Sequence, residues 1–302
     1  MARVLFPGFG HCLNSDSAKL RVGFLGVGSI ARYHAEVLQP MGHLVCVACG
    51  TSAESPRWRD FKAVATQARF ESDIDAVLED PNIDAVVACL PWHVTESWLP
   101  NLLATPKPVL LEKPIALSSK ALSGALALPG SRPDNKFVGF NRRYYQTVQK
   151  LKERVSQGGA KSAEITISET VAGLAATFGP EIIEHILVYS SCHPLDTAIY
   201  ILGALRLVEM YGFRDSEYAR PFSSISGLLE TNEGTPVFLS VMADNPSPMG
   251  IRIYFDDQTT WHLSPLERLV AYSGYDVIEP TADVNIRRYV PKPFLEINED
   301  AT

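Results

Sequence analysis

The stretch from Arg21 to Ala31 constrains this chain more than any other. It reads Arg-Val-Gly-Phe-Leu-Gly-Val-Gly-Ser-Ile-Ala. Arg21 to Leu25 has the pattern of a short buried strand. A helical pattern runs from Ile30 to Leu38 and is ended by Pro40 and Gly42. Between them stands G-x-G-x-x-A. Gly26 allows the tight turn, Gly28 lets a pyrophosphate approach the backbone, and Ala31 lets the helix pack closely on the strand. The helix start at Ser29, Ile30 and Ala31 offers unpaired N–H groups and a positive dipole end to phosphate oxygens. A Gly-rich triplet alone is equally a tight structural turn. The strand before it and the helix after it make it a dinucleotide fingerprint. Gly26, Gly28, Ser29, Ile30 and Ala31 are the first cofactor-binding candidates.

The strand–helix rhythm continues. Strand-like runs at His43 to Cys49, Ile83 to Leu90, Pro108 to Leu111 and Phe137 to Phe140 alternate with helical stretches at Trp58 to Ala68, Ile74 to Glu79 and Thr95 to Leu103. Such alternation implies βαβ units and a parallel sheet. After a helix at Tyr145 to Gln157, closed by Gly158-Gly159, the character changes. Strand-like segments follow at Ala163 to Thr170, Leu205 to Gly212, Ser223 to Glu230, Val237 to Met242, Ile251 to Phe255 and Thr260 to Leu263. One substantial helical stretch, around Ile182 to Leu202, interrupts them. The fold class is α/β: an N-terminal Rossmann doubly wound parallel sheet, then a C-terminal α+β domain with a largely antiparallel sheet. The expected organisation is an N-terminal extension over 1–19, a dinucleotide-binding domain over 20–140, and a substrate-binding and oligomerisation domain over 141–302.

A chain of 302 residues is long enough for two domains. With 46% hydrophobic and 20% charged residues, it can bury its cores without metals or disulfides. A net charge of −7 argues against binding the phosphate backbone of nucleic acids. Cysteines stand at Cys12, Cys46, Cys49, Cys89 and Cys192, an odd set with irregular spacing and no disulfide framework. Cys46 and Cys49 form a C-x-x-C. On a strand, side chains three apart point to opposite faces, so these thiols are read as buried and separate. No metal site is read. No apolar run approaches the ~20 residues of a membrane span. The first 20 residues lack the apolar core of a secretory signal, so a cytoplasmic location is expected.

In dinucleotide folds, an acid about 20 residues past the fingerprint binds the ribose 2′-hydroxyl. Here the second strand ends Cys49-Gly50-Thr51-Ser52, the nearest acid is Glu54, and Arg57 follows. Thr51 and Ser52 can donate to a 2′-phosphate and Arg57 can pair with it. NADP is therefore expected over NAD. The alternative is that Arg57 is simply solvated on the next helix.

Two later segments carry a family resemblance. Residues 108–114 read Pro-Val-Leu-Leu-Glu-Lys-Pro, and residues 138–144 read Val-Gly-Phe-Asn-Arg-Arg-Tyr. With the fingerprint, they resemble the glucose-fructose oxidoreductase/inositol dehydrogenase (Gfo/Idh/MocA) family. Residues 193–203, His-Pro-Leu-Asp-Thr-Ala-Ile-Tyr-Ile-Leu-Gly, are similar to that family's active-site helix. The resemblance implies that Lys113 is the catalytic cation, often before a cis proline, with Glu112 beside it at the cofactor. It also implies that Leu90, Pro91 and His93 border the nicotinamide. An assembly of two or four copies is expected from relatives.

The residues themselves agree with this. Lys113 lies at the carboxyl end of a parallel strand, where such sheets bind ligands, and can steady an alkoxide or the nicotinamide ribose. The alternative is a surface lysine at a turn. His193 precedes Pro194 in what reads as a first helical turn, and its imidazole can relay a hydroxyl proton near neutral pH. The alternative is a capping or core histidine. Asp196, three residues on, faces the same side and can orient the substrate or the histidine. Arg142, Arg143 and Tyr144 are candidate substrate contacts, with domain-interface salt bridges the alternative for the two arginines. Tyr189 stands where many family enzymes carry an Asp. Four residues before His193 on one helix, it would share that pocket and act as a phenol donor; the alternative is that Pro194 breaks the helix and Tyr189 packs in the core.

The reading is an NADP- or NAD-dependent oxidoreductase moving a hydride between nicotinamide and a sugar, nucleotide-sugar or cyclitol alcohol or ketone. The alternative, favoured by Tyr189, is a non-catalytic dinucleotide-binding protein of the same fold. A methyltransferase gives no reason for Glu112-Lys113-Pro114.

Overall fold

The computed structural model describes residues 19–213 and 224–299. The expected N-terminal extension and Cys12 lie outside them, apart from Lys19. The chain divides into two compact units that part between Phe140 and Asn141.

In the first unit, strands β1 (Arg21–Leu25), β2 (Leu44–Cys49), β3 (Arg69–Glu71), β4 (Ala85–Ala88), β5 (Val109–Leu111) and β6 (Lys136–Val138) form one sheet in the order β3-β2-β1-β4-β5-β6. Every pairing in it is parallel. The helices are α1 (Ser29–Leu38), α2 (Pro56–Val64), α3 (Ile74–Glu79), α4 (Trp92–Ala104) and α5 (Ser119–Leu126). The strands are apolar runs because both sheet faces are covered. Leu25, Val47, Val86 and Val109 join one buried cluster with Leu99 and Leu102 of α4. Val22, Phe24, Val45 and Val87 join the other with Ala31 of α1 and Phe61 of α2. The strand order reverses between β1 and β4, which opens a crevice at their carboxyl ends.

Local sequence missed β3 and α5. β3 has three residues and sits at the sheet edge. α5 opens with Ser118 accepting from the Ala121 N–H but contains Gly124, a weak helix former. The opposite-face argument for the C-x-x-C is corrected, while its reading as two free thiols stands. Pairing of β1 with β2 steps from Val22–Val45 to Gly23–Val47, so Cys46 is an extra residue in β2. The bulge breaks the alternation, and Cys46 and Cys49 both pack against the same cluster. Both thiols are free, and burial raises both pKa values, that of Cys49 to about 11.

The second unit begins with α6 (Gln146–Ser156) and β7 (Ala160–Glu169). Three helices follow: α7 (Val171–Phe178), α8 (Ile186–Tyr189) and α9 (Cys192–Leu202). Then come β8 (Leu205–Phe213), β9 (Ser224–Thr231), β10 (Pro236–Ala243), β11 (Gly250–Phe255), β12 (Thr259–Leu263), β13 (Arg268–Ile278) and β14 (Arg288–Asn298). They form one sheet in the order β14-β13-β12-β11-β7-β10-β9-β8. Among the described strands of this sheet only β7 and β10 pair in parallel. Alternate residues Ala163, Ile165 and Ile167 of β7 pack one sheet face into a core with Val148 and Leu151 of α6 and Ala198 and Ile201 of α9. The strand pattern runs past Leu263 into β13 and β14, which the sequence did not disclose. Pro291 and Pro293 hide β14, and its edge position tolerates them because a proline donates no ladder bond.

The first strand is anchored at its amino end. Arg21 donates to the Asp84 carboxylate from its backbone N (2.8 Å), Nε (3.1 Å) and Nη2 (2.8 Å), tying β1 to the start of β4. These bonds from the guanidinium and backbone hold the Asp84 carboxyl down at about 2. A depressed carboxyl contributes stability that is present above its unfolded pKa, about 4, and lost as pH falls through its folded value. Asp84→Asn should therefore differ from wild type at pH 5 and converge with it as pH falls from about 4 to about 2. Thermal melts across that range measure the difference, which partial exposure of the pair keeps modest.

Candidate active site

Gly26 has φ +96°, in the left-handed region, and a Cβ there would overlap the Cys89 carbonyl oxygen. Its N–H donates to Cys49 O, and the Cys89 N–H donates to Leu25 O, so β1, β2 and β4 meet at this turn. Gly28 differs. Its φ of −75° and ψ of −177° suit any residue, and a Cβ on it would meet nothing within 4 Å. Neither the backbone nor the packing requires glycine there. The helix it opens, α1, has no side-chain cap and no acid in its first turn. The N–H groups of Ser29, Ile30 and Ala31 are therefore left for an anion. Ile30 is 48% exposed beside them. These features fit the pyrophosphate of a dinucleotide.

At the end of β2, Gly50 donates its N–H to Glu71 O, and a Cβ there would crowd Val27 and Phe70. Ser52 Oγ donates to Glu54 at 2.6 Å and accepts the Glu54 N–H at 3.1 Å. The Ser52 hydroxyl, and then Glu54's own backbone, hold the Glu54 carboxyl below its usual range. Thr51 is exposed, as is Arg57 in the first turn of α2.

At the end of β4, Leu90 and Pro91 lead directly into α4, which starts at Trp92, three residues earlier than the sequence pattern suggests. Pro91 O accepts the Val94 and Thr95 N–H groups, and the buried Thr95 hydroxyl lies 3.2 Å from both Leu90 O and Pro91 O. His93 is exposed, its ring 5.2 Å from that of Trp92.

At the end of β5, Glu112 donates its N–H to Ala88 O and is followed by a cis Lys113–Pro114 bond. The Glu112 carboxylate lies 2.8 Å from His34 Nε2 on α1 and lies against Gly139, where a Cβ would sit 2.9 Å from it. His34 thus links the fingerprint helix to the Glu112-Lys113 turn. The sequence reading missed it because its partner is 78 positions away.

In the second unit, a single 3-10 turn, Asn141–Tyr144, carries Arg142, Arg143 and Tyr144. Arg142 Nη1 lies 3.6 Å from Met249 Sδ, and Tyr144 is 42% exposed. Arg143 donates twice to Asp196, through Nε at 2.7 Å and through Nη2, and its guanidinium lies over the Tyr200 ring. Asp196, expected to orient substrate or histidine, is held in this ion pair.

His193 lies in the first turn of α9, half-buried, and its carbonyl accepts from the Thr197 hydroxyl at 2.8 Å. The expectation that one continuous helix carries both Tyr189 and His193 is corrected. Tyr189 ends α8, and the helix is interrupted at Ser190-Ser191 before α9 begins. The Tyr189 ring packs on Phe178, centroids 5.3 Å apart, and burial raises its phenol pKa. Pro194 does not cause the interruption, because it stands in the first turn of α9, where a missing N–H costs nothing.

Comparison with known proteins supplies the context. Residues 20–139 match the family model GFO_IDH_MocA, described as an oxidoreductase family with an NAD-binding Rossmann fold. Myo-inositol 2-dehydrogenase of Thermotoga maritima is 27% identical over 185 residues, 61% of this chain and 55% of that protein. Scyllo-inositol 2-dehydrogenase (NAD(+)) of Bacillus subtilis is 31% identical over 201 residues, 62% of this chain and 55% of that protein. The chain spans little more than half the length of these curated relatives. A solved levoglucosan dehydrogenase, in complex with NADH and levoglucosan, aligns with a TM-score of 0.70 at 16% identity, covering 92% of this chain and 80% of that one. That likeness is one of fold.

The two fingerprint glycines should respond differently to alanine. Gly26→Ala forces a side chain into a left-handed turn and onto a carbonyl, and should cost about 1–3 kcal/mol or more of stability. Gly28→Ala should melt within about 0.5 kcal/mol of wild type, as a surface change does. Urea unfolding of both variants measures this. A Gly28→Ala loss as large as that of Gly26→Ala would mean that the protein itself requires the second glycine.

Proposed function

We propose that the chain belongs to the Gfo/Idh/MocA oxidoreductase family, whose model its residues 20–139 match, and that it is an NAD(P)-dependent oxidoreductase acting on the alcohol or ketone of a sugar or cyclitol. The observation that carries this reading is Gly28, a glycine that neither φ nor packing requires, at the uncapped start of α1. The inositol dehydrogenases among the relatives support the substrate class.

The nicotinamide, when bound, supplies the hydride chemistry. Gly26, Gly28, Ser29, Ile30 and Ala31 would hold its pyrophosphate, and Leu90, Pro91, His93 and Glu112 would line the strand ends beside it. Lys113 would steady the developing oxyanion, and His193 would carry the hydroxyl proton. Arg142 and Tyr144 would contact substrate. Asp196, held by Arg143, would act through the shape of that pair. NADP remains the preferred cofactor in this reading. With Ser52 engaged by Glu54, Thr51 and Arg57 would take the 2′-phosphate.

The second reading, a binding protein without turnover, rests on Tyr189. A phenol packed on Phe178 does not replace a carboxylate. Among the described residues no helix is long and apolar enough to cross a membrane. Apolar residues exposed along β8 and β10, among them Leu207, Met210, Phe213 and Phe238, favour a dimer or tetramer, which its mass in solution would report.

Titration of tryptophan fluorescence should give a tighter midpoint for NADPH than for NADH, and Arg57→Ala should narrow the gap. Equal midpoints in wild type would discard the NADP preference. With myo-inositol and other cyclitols or sugars as probes, Lys113→Ala should cut turnover by roughly a hundredfold or more, the scale of losing one oxyanion donor, while cofactor affinity stays within about tenfold. Cofactor binding with no turnover of any of these probes by wild type would favour the second reading.

A further inference from the structure

The link between α8 and α9 contains neither glycine nor proline. Ser190 (φ −106°, ψ −54°) and Ser191 (φ −68°, ψ −6°) both stay in the right-handed helical region. The hydrogen-bond ladder nonetheless slips. The N–H groups of Ser190 (2.9 Å) and Ser191 (3.2 Å) both donate to Ile186 O, and the regular pattern resumes at Leu195 N to Ser191 O. The second of these is an i→i−5 bond. Such a slip inserts one residue into the turn and offsets the faces of the flanking helices by about 100°. Backbone preference does not demand it, since an uninterrupted helix is open to these residues.

A side chain from the sheet holds the slip. Glu169, the last residue of β7, is only 4% exposed. Its Oε2 accepts from Ser190 Oγ at 2.7 Å and its Oε1 from the buried Ser191 Oγ at 2.6 Å. These are the short distances of charge-assisted hydroxyl–carboxylate bonds. Its carbonyl accepts the Asp244 N–H at 2.7 Å, just past β10, where the parallel β7–β10 ladder ends. A carboxylate so buried is costly unless it is hydrogen-bonded, and two serine hydroxyls on either side of the slip meet that need. His193 is the second residue after Ser191.

We infer that Glu169 is a positioning residue for His193: fixed at the end of β7, it clamps both serines and so sets the slip from which the first turn of α9 presents the imidazole. The inference rests on the proposed role of His193 and adds a group that acts on it from another element.

The test follows the ring resonances of His193 in histidine-labelled protein, assigned by their loss in His193→Asn, together with amide hydrogen exchange. Glu169→Ala should move the His193 resonances. It should also speed exchange over residues 190–196 by about tenfold or more while α6 stays within about twofold, since opening free energies differ between segments. Glu169→Gln keeps an acceptor oxygen for the hydroxyls and should recover most of the wild-type pattern. Unchanged resonances and unchanged exchange in Glu169→Ala would overturn the inference. Equal acceleration in α6, β10 and α9 would overturn it too, by making Glu169 a general stabiliser. If Glu169→Ala does not fold, the Ser190→Ala, Ser191→Ala pair removes the same bonds and is read in the same way. Full turnover by His193→Asn would instead defeat the proposed role of the histidine, and the resonance and exchange data would be unaffected by that result.

Discussion

At Gly26 the backbone turns out of β1 with a positive φ and lies directly against the Cys89 carbonyl at the end of β4. No side chain fits in that gap, and the first unit depends on it. The close approach lets Gly26 reach Cys49 O while Cys89 reaches Leu25 O, so three strand ends are tied together at the point where strand order reverses. The turn then releases the chain into α1 at Gly28 with its first N–H groups uncapped. A wider turn would separate β1 from β4 and aim the helix start away from the crevice. The anion-binding character of the unit is thus a consequence of one steric exclusion between a glycine and a carbonyl.

The remaining candidates of this unit follow from the same sheet edge. Leu90, Glu112 and Lys113 each come within two residues of the end of a parallel strand, and parallel strands deliver their following residues to one edge. The His34–Glu112 bond adds a lateral tie from α1 to the end of β5, close to Gly139 at the end of β6. The fingerprint helix and the turn that carries the lysine are therefore parts of one hydrogen-bonded assembly.

The second unit solves a different problem. Its sheet buries one face against α6 and α9, and its candidate histidine, His193, lies on a helix whose preceding serines are held by a carboxylate at the end of β7. The arginine–aspartate pair between Arg143 and Asp196 holds the other side of α9 to the 3-10 turn that opens the unit. Polar side chains thus fix a helix that apolar packing alone would leave free to rotate, because hydrogen bonds are directional and apolar contact is not.

The sequence by itself determined the parallel α/β unit, the strand-rich second unit, the fingerprint turn and the strand ends at which Leu90, Glu112 and Lys113 stand. Each of these is written in local steric demands: apolar runs for strands buried on both faces, and small residues where backbones touch. The bulge at Cys46, the strands β13 and β14, the His34–Glu112 bond, the Arg143–Asp196 pair and the slip between Tyr189 and His193 were decided only by tertiary structure. Their partners lie tens of residues away or across a strand register, and a local pattern carries no record of a distant acceptor. Tyr189 shows the difference most sharply. Its spacing from His193 places it on a shared helix face, but Glu169, 20 residues before it, holds the serines that break that helix. A buried carboxylate must find its donors, and two serines, which have little preference to continue a helix, supply them at the cost of the regular ladder.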